Sequence, residues 1–366
     1  LGLVSTFYTM MGGIKGLLDI DTCQTLLMTF TGVVALVMVY CSLEGLSLAE
    51  IWNQLSAGGM VKSPGADAAL LADGSLQGWE QGSKLKMFDP SLDFSKPYTI
   101  IGGMIGIAFF KIAQYTTDQE FVQRQLSCKS VKKAGTSLIW SQLLAIPIVL
   151  TFLCIGLLLW VKYINDPYID GQISAGFFSD ARDLFPQYIK NHIPTGVRGL
   201  MITGLLAAAL SSFNSAINAM ASSFVDDLYL PIRKDMGKAV QSDKDQISSS
   251  RWMAGLMGML LTAFAILTAV MQEASGLNLV DFATGVMCFA YGGMIGVFLT
   301  AIFSKRGNGK SVMAALIIGA LIIIPLMFQK QLFGQTYIAW SWWCPIAGIV
   351  STLVCLAGKP KRQTAE

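Results

Sequence analysis

Residues 199–229 read GLMITGLLAAALSSFNSAINAMASSFVDDLY. The stretch opens as an apolar helix and then turns polar at bilayer depth. Ala208, Ser211, Ser212 and Ser215 recur at i, i+3, i+4 and i+7, which puts them on one helical face. Asn214, Asn218 and Ser222 lie on or beside that stripe. Hydroxyl and amide oxygens are hard, neutral ligands suited to a weakly held alkali cation. A side chain as small as that of Ala208 leaves backbone carbonyls open to an ion. Small and hydroxylated residues are also common where membrane helices cross closely. The stripe alone leaves both readings open.

The composition sets the solvent. Of 366 residues, 53% are hydrophobic and only 13% charged, and the mean hydropathy is +0.56. Soluble domains carry about 25% charged residues, so the chain reads as an all-α, polytopic membrane protein with the lipid bilayer as its partner. A net charge of +3 gives no reason to expect nucleic acid. The seven cysteines lack paired spacing, and the single histidine, His192, falls in a polar loop, so neither a disulfide framework nor a metal cluster is expected. The chain starts at Leu1 in the middle of an apolar segment, which reads as a fragment lacking an N-terminal part.

Eight spans are expected, together with a preceding piece. Residues 1–20 read as the end of a buried segment with a break at Gly12-Gly13, and the first full helix runs over about 21–43. A polar loop covers 44–96 and a second covers 165–195, the latter with an amphipathic piece at 177–189. The other spans are expected at 97–116, 134–163, 199–229, 251–271, 279–304, 311–330 and 337–358. Lys and Arg concentrate in alternate connections: Lys15, Arg124 to Lys133, Arg233 to Arg251, Lys305 to Lys310, and Lys359 to Arg362. The positive-inside rule places those connections, and the C-terminus, in the cytoplasm.

Charges in apolar spans point to function by default. Asp21 opens the first full helix within Asp21-Thr22-Cys23-Gln24-Thr25, where it suits either an N-cap at the interface or a functional charge. Lys111 lies about fifteen residues into the second helix, where it can bind a solute carboxylate or pair with an internal acid. Gln114, Tyr115, Thr116 and Thr117 give that helix an unusually polar end. Asp226 and Asp227 read as surface charges. No nucleophile–base pair, phosphate loop or metal-ligand cluster is present, so an enzyme is not expected.

Three separated motifs carry a resemblance. They are Tyr8-Thr9-x-x-Gly12-Gly13 followed by Asp21-Thr22-x-Gln24-Thr25; Thr117-Asp118-Gln119-x-x-Val122-Gln123-Arg124 followed by Lys129-Ser130; and Gly199-Leu200 through Ala207-Ala208, Ser211-Ser212, Ser215 and Asn218 to Asp227-Leu228-Tyr229. In this order and at these separations they resemble the sodium:solute symporter family, over nearly the whole chain. The resemblance implies a secondary transporter core of two inverted five-helix repeats with broken helices at the midplane. Residues 1–43 would be the end of the first repeat, its fifth core helix. Residues 44–96 would be an extracellular loop and 97–304 the second repeat, core helices six to ten. Residues 305–366 would hold two peripheral helices and a short basic tail. The first four core helices would then precede this chain.

By the same resemblance, Ala208 through its carbonyl and Ser211 and Ser212 through their hydroxyls would form one half of the principal sodium site. Asp21 matches an acid beneath that site, and in some relatives it helps hold a second sodium ion beside Ser211 and Ser215. Asn214 departs from the small residue usual there. Lys111, Gln114 and Tyr115 fall where sugar-carrying relatives place solute-contacting and gating residues. Lys111 stands for a neutral amide and Gln114 for an aromatic gate, which favours a carboxylate-bearing solute over a neutral hexose. The implied function is sodium-coupled symport of a sugar, sialic acid, sugar acid or monocarboxylate, with the plasma membrane, read as a bacterial inner membrane, as its place. A solute sensor on the same fold and a proton-coupled carrier are the alternatives.

Overall fold

Apolar runs of twenty residues or more satisfy their backbone groups internally only as helices when no water is at hand. The computed structural model describes residues 1–43, 45–57, 59–62, 69–70, 76–77, 79–85, 88–165, 168–169, 172–173, 184–237, 243–275 and 279–359. The helices are α1 (Gly2–Cys41), α2 (Leu48–Ala57), a π-helical stretch at Gly102–Ile107 leading into α3 (Ala108–Thr117), α4 (Gln119–Leu126), α5 (Val131–Asn165) and α6 (Leu184–His192). Next, α7 (Thr195–Ser223) passes through a second π-helical stretch, Phe224–Tyr229, into α8 (Leu230–Asp235). The chain closes with α9 (Asp243–Ser275), α10 (Leu279–Phe303), α11 (Gly309–Met327), α12 (Gln329–Phe333) and α13 (Trp340–Leu356). Among the described residues, strands are short loop pieces, such as Ala69–Leu70 paired antiparallel with Leu76–Gln77.

Six segments are long and apolar enough to cross a membrane, by length and composition, among the described residues: Ile20–Cys41, Val131–Tyr163, Thr195–Asp235, Ile247–Gln272, Leu279–Phe303 and Gly309–Met327. Two of the eight expected spans are shorter as helices. The second consists of six π-helical residues and the ten of α3, and the last is the 17-residue α13. Crossing the hydrocarbon takes about 20 residues of α-helix. The amphipathic piece expected at 177–189 forms α6, Leu184–His192, while 174–183 lie outside the described residues. The basic tail beyond residue 359 lies outside them as well.

The chain divides into two compact units. The first comprises Leu1–Met60, Gln81–Leu85 and Gln125–Phe264. Its core joins α1, α5, α6 and α7 through Ala35, Val39, Ile155, Leu159, Tyr188, Ile189 and Met201. Ile217 and Ala221 of α7 pack on Ala254 and Met257 of α9. Outside the spans, α2 is started by a reciprocal cap in which the Ser47 amide and hydroxyl both donate to Glu50, and the Glu50 amide donates back to the Ser47 hydroxyl. Those donors hold the Glu50 carboxyl below the ordinary glutamate range.

The expected break at Gly12-Gly13 does not occur. α1 is helical throughout Gly2–Cys41, so the glycine pair does not end a segment. Thr6 and Gly2 lie against Gly258 and Thr262 of α9, and Ser5 and Thr9 donate to Asn214 of α7. Asp21 accepts from Ser211, one turn before that asparagine, and from Ser215, the residue after it. Further along α1, Thr31 sits flush on Gly204, where any Cβ would overlap its hydroxyl.

The second unit comprises Val61–Glu80, Lys86–Arg124 and Ala265–Glu366. Its core, from α3, α10, α11 and α13, includes Phe110, Cys288, Tyr291, Ile295, Ile323, Trp340, Trp343 and Cys344. Phe110 meets the Tyr291 and Trp340 rings edge-on, at centroid distances of 5.3 and 6.2 Å. The π-helical stretch lets Gly106 press against the carbonyl of Ser341 in α13, an approach that no side chain would permit.

Candidate functional site

Asp21 is the centre of the polar contacts in the first unit. It lies within α1 rather than at its start, so the N-cap reading does not hold. Only 8% of it is exposed. Ser211 Oγ donates to Asp21 Oδ1 at 2.7 Å and Ser215 Oγ donates to Oδ2 at 3.1 Å. Spacing by four residues brings both serines to the same side of α7, and the antiparallel run of α1 brings the carboxylate to them. Three of the five residues expected around sodium therefore meet directly.

The other two lie differently. Ala208 is half-buried one turn below Ser211, and Ser212 is exposed on the chain as it stands. Asn214 turns the other way. It is 2% exposed, and its Oδ1 accepts from Thr9 Oγ1 at 2.9 Å and from Ser5 Oγ. Ser5 and Thr9 are themselves buried. The sequence placed Asn214 on or beside the polar stripe and marked it as a departure, but missed its partners; the one local signal was two hydroxyls, Ser5 and Thr9, at i, i+4 in an apolar helix. Chemically, one carboxylate with two hydroxyls is a hard-oxygen set for a small cation, and the carboxylate holds its hydroxyl donors in place when no cation is bound.

In the second unit, the residues expected at the solute gather on α3. Lys111 Nζ donates to Gln114 Oε1 at 2.9 Å and stands 5.7 Å from the centre of the Tyr115 ring. Gln114 is buried and Lys111 exposed. No ion pair of Lys111 appears among the described residues, so the internal-acid reading finds no partner there. The ammonium is held by an amide oxygen and a π face, both weaker partners than a carboxylate.

The Thr117–Arg124 motif turns out to be structural. Asp118 is extended (φ −81°, ψ 120°) and separates α3 from α4. Its Oδ1 accepts from the Glu120 amide at 3.0 Å, which caps α4, and its Oδ2 accepts from the Tyr291 hydroxyl of α10 at 2.7 Å. Asp226 and Asp227 are exposed, as surface charges should be. His192 is exposed and touches Tyr188, and no group of metal-ligating residues occurs among the described residues. The seven cysteines are free, with only Cys288, Cys344 and Cys355 buried.

Long apolar helices and buried polar contacts between them define a multi-pass membrane protein. The chain belongs to the sodium:solute symporter family, whose sequence profile matches residues 1–319; proteins of this kind are carriers rather than enzymes. The sodium/sialic acid symporter SiaT of Proteus mirabilis is 26% identical over 91% of this chain and 60% of its own length. The sodium/sialic acid symporter NanT of Aliivibrio fischeri is 24% identical over 87% of the chain and 55% of its own length. The chain thus spans under two thirds of the length of these relatives. A solved structure of a Na+-coupled sialic acid symporter, substrate-bound and outward-open, covers 99% of this chain with a TM-score of 0.69. That match takes in 66% of the solved chain at 24% identity, and the likeness is one of fold.

Proposed function

We propose that the protein moves a small organic solute across a membrane by symport with sodium. The Asp21–Ser211–Ser215 contact is the observation that carries this reading. It pairs a buried carboxylate with hydroxyls at helix-crossing depth, in a chain of a sodium-coupled family. In this reading Ala208, Ser211 and Ser212 belong to the principal sodium site, and Asp21 and Ser215 to the ion's path or a second site. Lys111, Gln114 and Tyr115 contact the solute, which is a sugar, sialic acid, sugar acid or monocarboxylate. The sialic acid relatives support the acidic end of that range.

The architecture proposed with it has the later part of α1 as the fifth core helix, the segment from residue 97 to 304 as the second inverted repeat, and α11 and α13 as peripheral helices, eight spans in all. Basic connections lie in the cytoplasm, and the membrane is the bacterial plasma membrane. Sodium entry favours one access state because the ion binds that state more tightly. Each positive charge carried inward contributes about 2.3 kcal/mol per 100 mV of membrane potential, enough to concentrate solute tens-fold.

The test is uptake of labelled acids and sugars into vesicles holding the complete gene product. The comparison is an inward sodium gradient against potassium, for wild type and Ser212→Ala. Accumulation that requires sodium and collapses in the variant is expected. Binding without accumulation would point to a sensor, and accumulation driven by pH alone to a proton-coupled carrier.

A further inference from the structure

α1 and α9 cross along a seam of small residues: Met10 lies on Gly255, Thr6 on Gly258, and Gly2 against Thr262. Numbers fall on α1 as they rise on α9, so the two run antiparallel here. A seam floored by glycines leaves a groove between the side chains that flank it. At its end nearest Ser248 the groove opens into a cleft of about 380 Å³, lined by Phe7, Met10 and Met11 of α1 and by Ser248, Arg251 and Trp252 of α9. All six belong to the first compact unit. That volume falls within the range of small-molecule sites.

The cleft has two chemical ends. Ser248 and Arg251, three residues apart, share a face of α9, and a hydroxyl beside a guanidinium is a donor set for a phosphate. Arg251 is exposed and forms no ion pair among the described residues. The other end is apolar, and it continues: one turn further along the groove, Leu3 of α1 and Leu256 of α9 are exposed, followed by Met259. From Ser248 to Met259 the groove runs roughly 17 Å along α9, close to half of the roughly 30 Å hydrocarbon thickness. The apolar segment of α9 begins at Ile247, so Arg251 and Trp252 stand about one turn inside its end, the level at which such residues meet headgroups. A soluble anion has no partner in the apolar wall, and an apolar helix has none in the arginine. A phospholipid has both parts at this separation.

We infer that the cleft between α1 and α9 binds one anionic phospholipid, its phosphate on Arg251 and Ser248 and an acyl chain along the groove beyond Phe7 and Trp252. A zwitterionic headgroup brings a cation with its phosphate and gains less from the guanidinium. In the orientation proposed above the site opens to the cytoplasmic leaflet, where anionic lipids gather at basic residues. The inference rests on that reading for the leaflet alone, and on no particular ion or solute.

The experiment reads lipid binding at the cleft. The complete gene product, delipidated in detergent, is titrated with phosphatidylglycerol or phosphatidylcholine, each dibrominated in its acyl chains, and quenching of tryptophan fluorescence is followed. Wild type, Arg251→Gln and Trp252→Phe are compared. Phosphatidylglycerol should quench wild type at a half-saturating concentration about fivefold or more below that of phosphatidylcholine, the ratio expected of one interfacial arginine. Arg251→Gln should abolish that preference, and Trp252→Phe should remove the part of the quenching specific to phosphatidylglycerol. Equal midpoints for the two lipids in wild type overturn the inference. So does a preference that survives Arg251→Gln, or specific quenching that survives Trp252→Phe and thereby places the lipid elsewhere. Displacement of the lipid by millimolar inorganic phosphate would make the ligand a free anion and overturns it too. Should Arg251→Gln not fold, Arg251→Met carries the same expectation, and the Trp252→Phe titration decides if neither folds. No step involves sodium or uptake, so failure here leaves the symport reading untouched, and failure of sodium-driven uptake leaves this site untouched.

Discussion

Asp21 and Ser211 are 190 positions apart in the chain and 2.7 Å apart in the fold. Their contact, with that of Ser215 at 3.1 Å, ties α1 to α7 through a carboxylate that is only 8% exposed. Asp21→Asn keeps the shape and removes the charge. It should raise half-saturating sodium roughly tenfold or more, equivalent to about 1.4 kcal/mol, with a smaller change in sodium-free stability. Sodium-dependent melting shifts would show this, and an unchanged midpoint would remove Asp21 from the ion's path.

Asn214 holds the other arm of α1. Replacing it with Ala leaves the Ser5 and Thr9 hydroxyls buried without their acceptor. A loss of about 1–3 kcal/mol is expected, seen as a lower apparent melting temperature whether or not sodium is present. A purely sodium-dependent effect would instead make Asn214 a ligand.

Gly204 and Thr31 define how near α1 and α7 approach. Gly204→Ala inserts a methyl group where the threonine hydroxyl lies, and overpacking of this kind costs about 1–3 kcal/mol. Thr31→Ala in the same molecule should recover much of that loss, because the two substitutions act on one contact. Additive destabilisation would place the strain elsewhere.

Tyr291 and Asp118 join α10 to the junction of α3 and α4 through a 2.7 Å hydrogen bond. Tyr291→Phe removes a donor to a carboxylate, a bond of the kind worth about 1.5–3 kcal/mol. The apparent melting temperature should fall, and proteolysis at the α3–α4 junction should speed up. Unchanged protection there would show that the cap on Glu120 holds Asp118 alone.

Lys111 offers a test of solute charge. Lys111→Met keeps the length and apolar bulk of the side chain but not the ammonium, so uptake of an acidic solute should fall at least tenfold in kcat/KM, mostly through KM. Neutral sugars, if carried, should be unaffected or improved. Equal loss for both would reduce Lys111 to a packing residue held by Gln114 and Tyr115.

Much of this protein is written in composition and period. Apolar runs with few charges determine helices in a membrane, because lipid offers the backbone no partner, and the i, i+3, i+4, i+7 spacing of Ala208, Ser211, Ser212 and Ser215 determines that they share a face. Three contacts were decided only by tertiary structure. The reach of Asp21 to Ser211 and Ser215, the turn of Asn214 toward Ser5 and Thr9, and the pairing of Asp118 with Tyr291 all join segments 173 to 209 positions apart. Local propensity contains no term for such distances. α1 shows the division well: Gly12-Gly13 lowers the helix preference of that interval, yet the helix runs unbroken from Gly2 to Cys41.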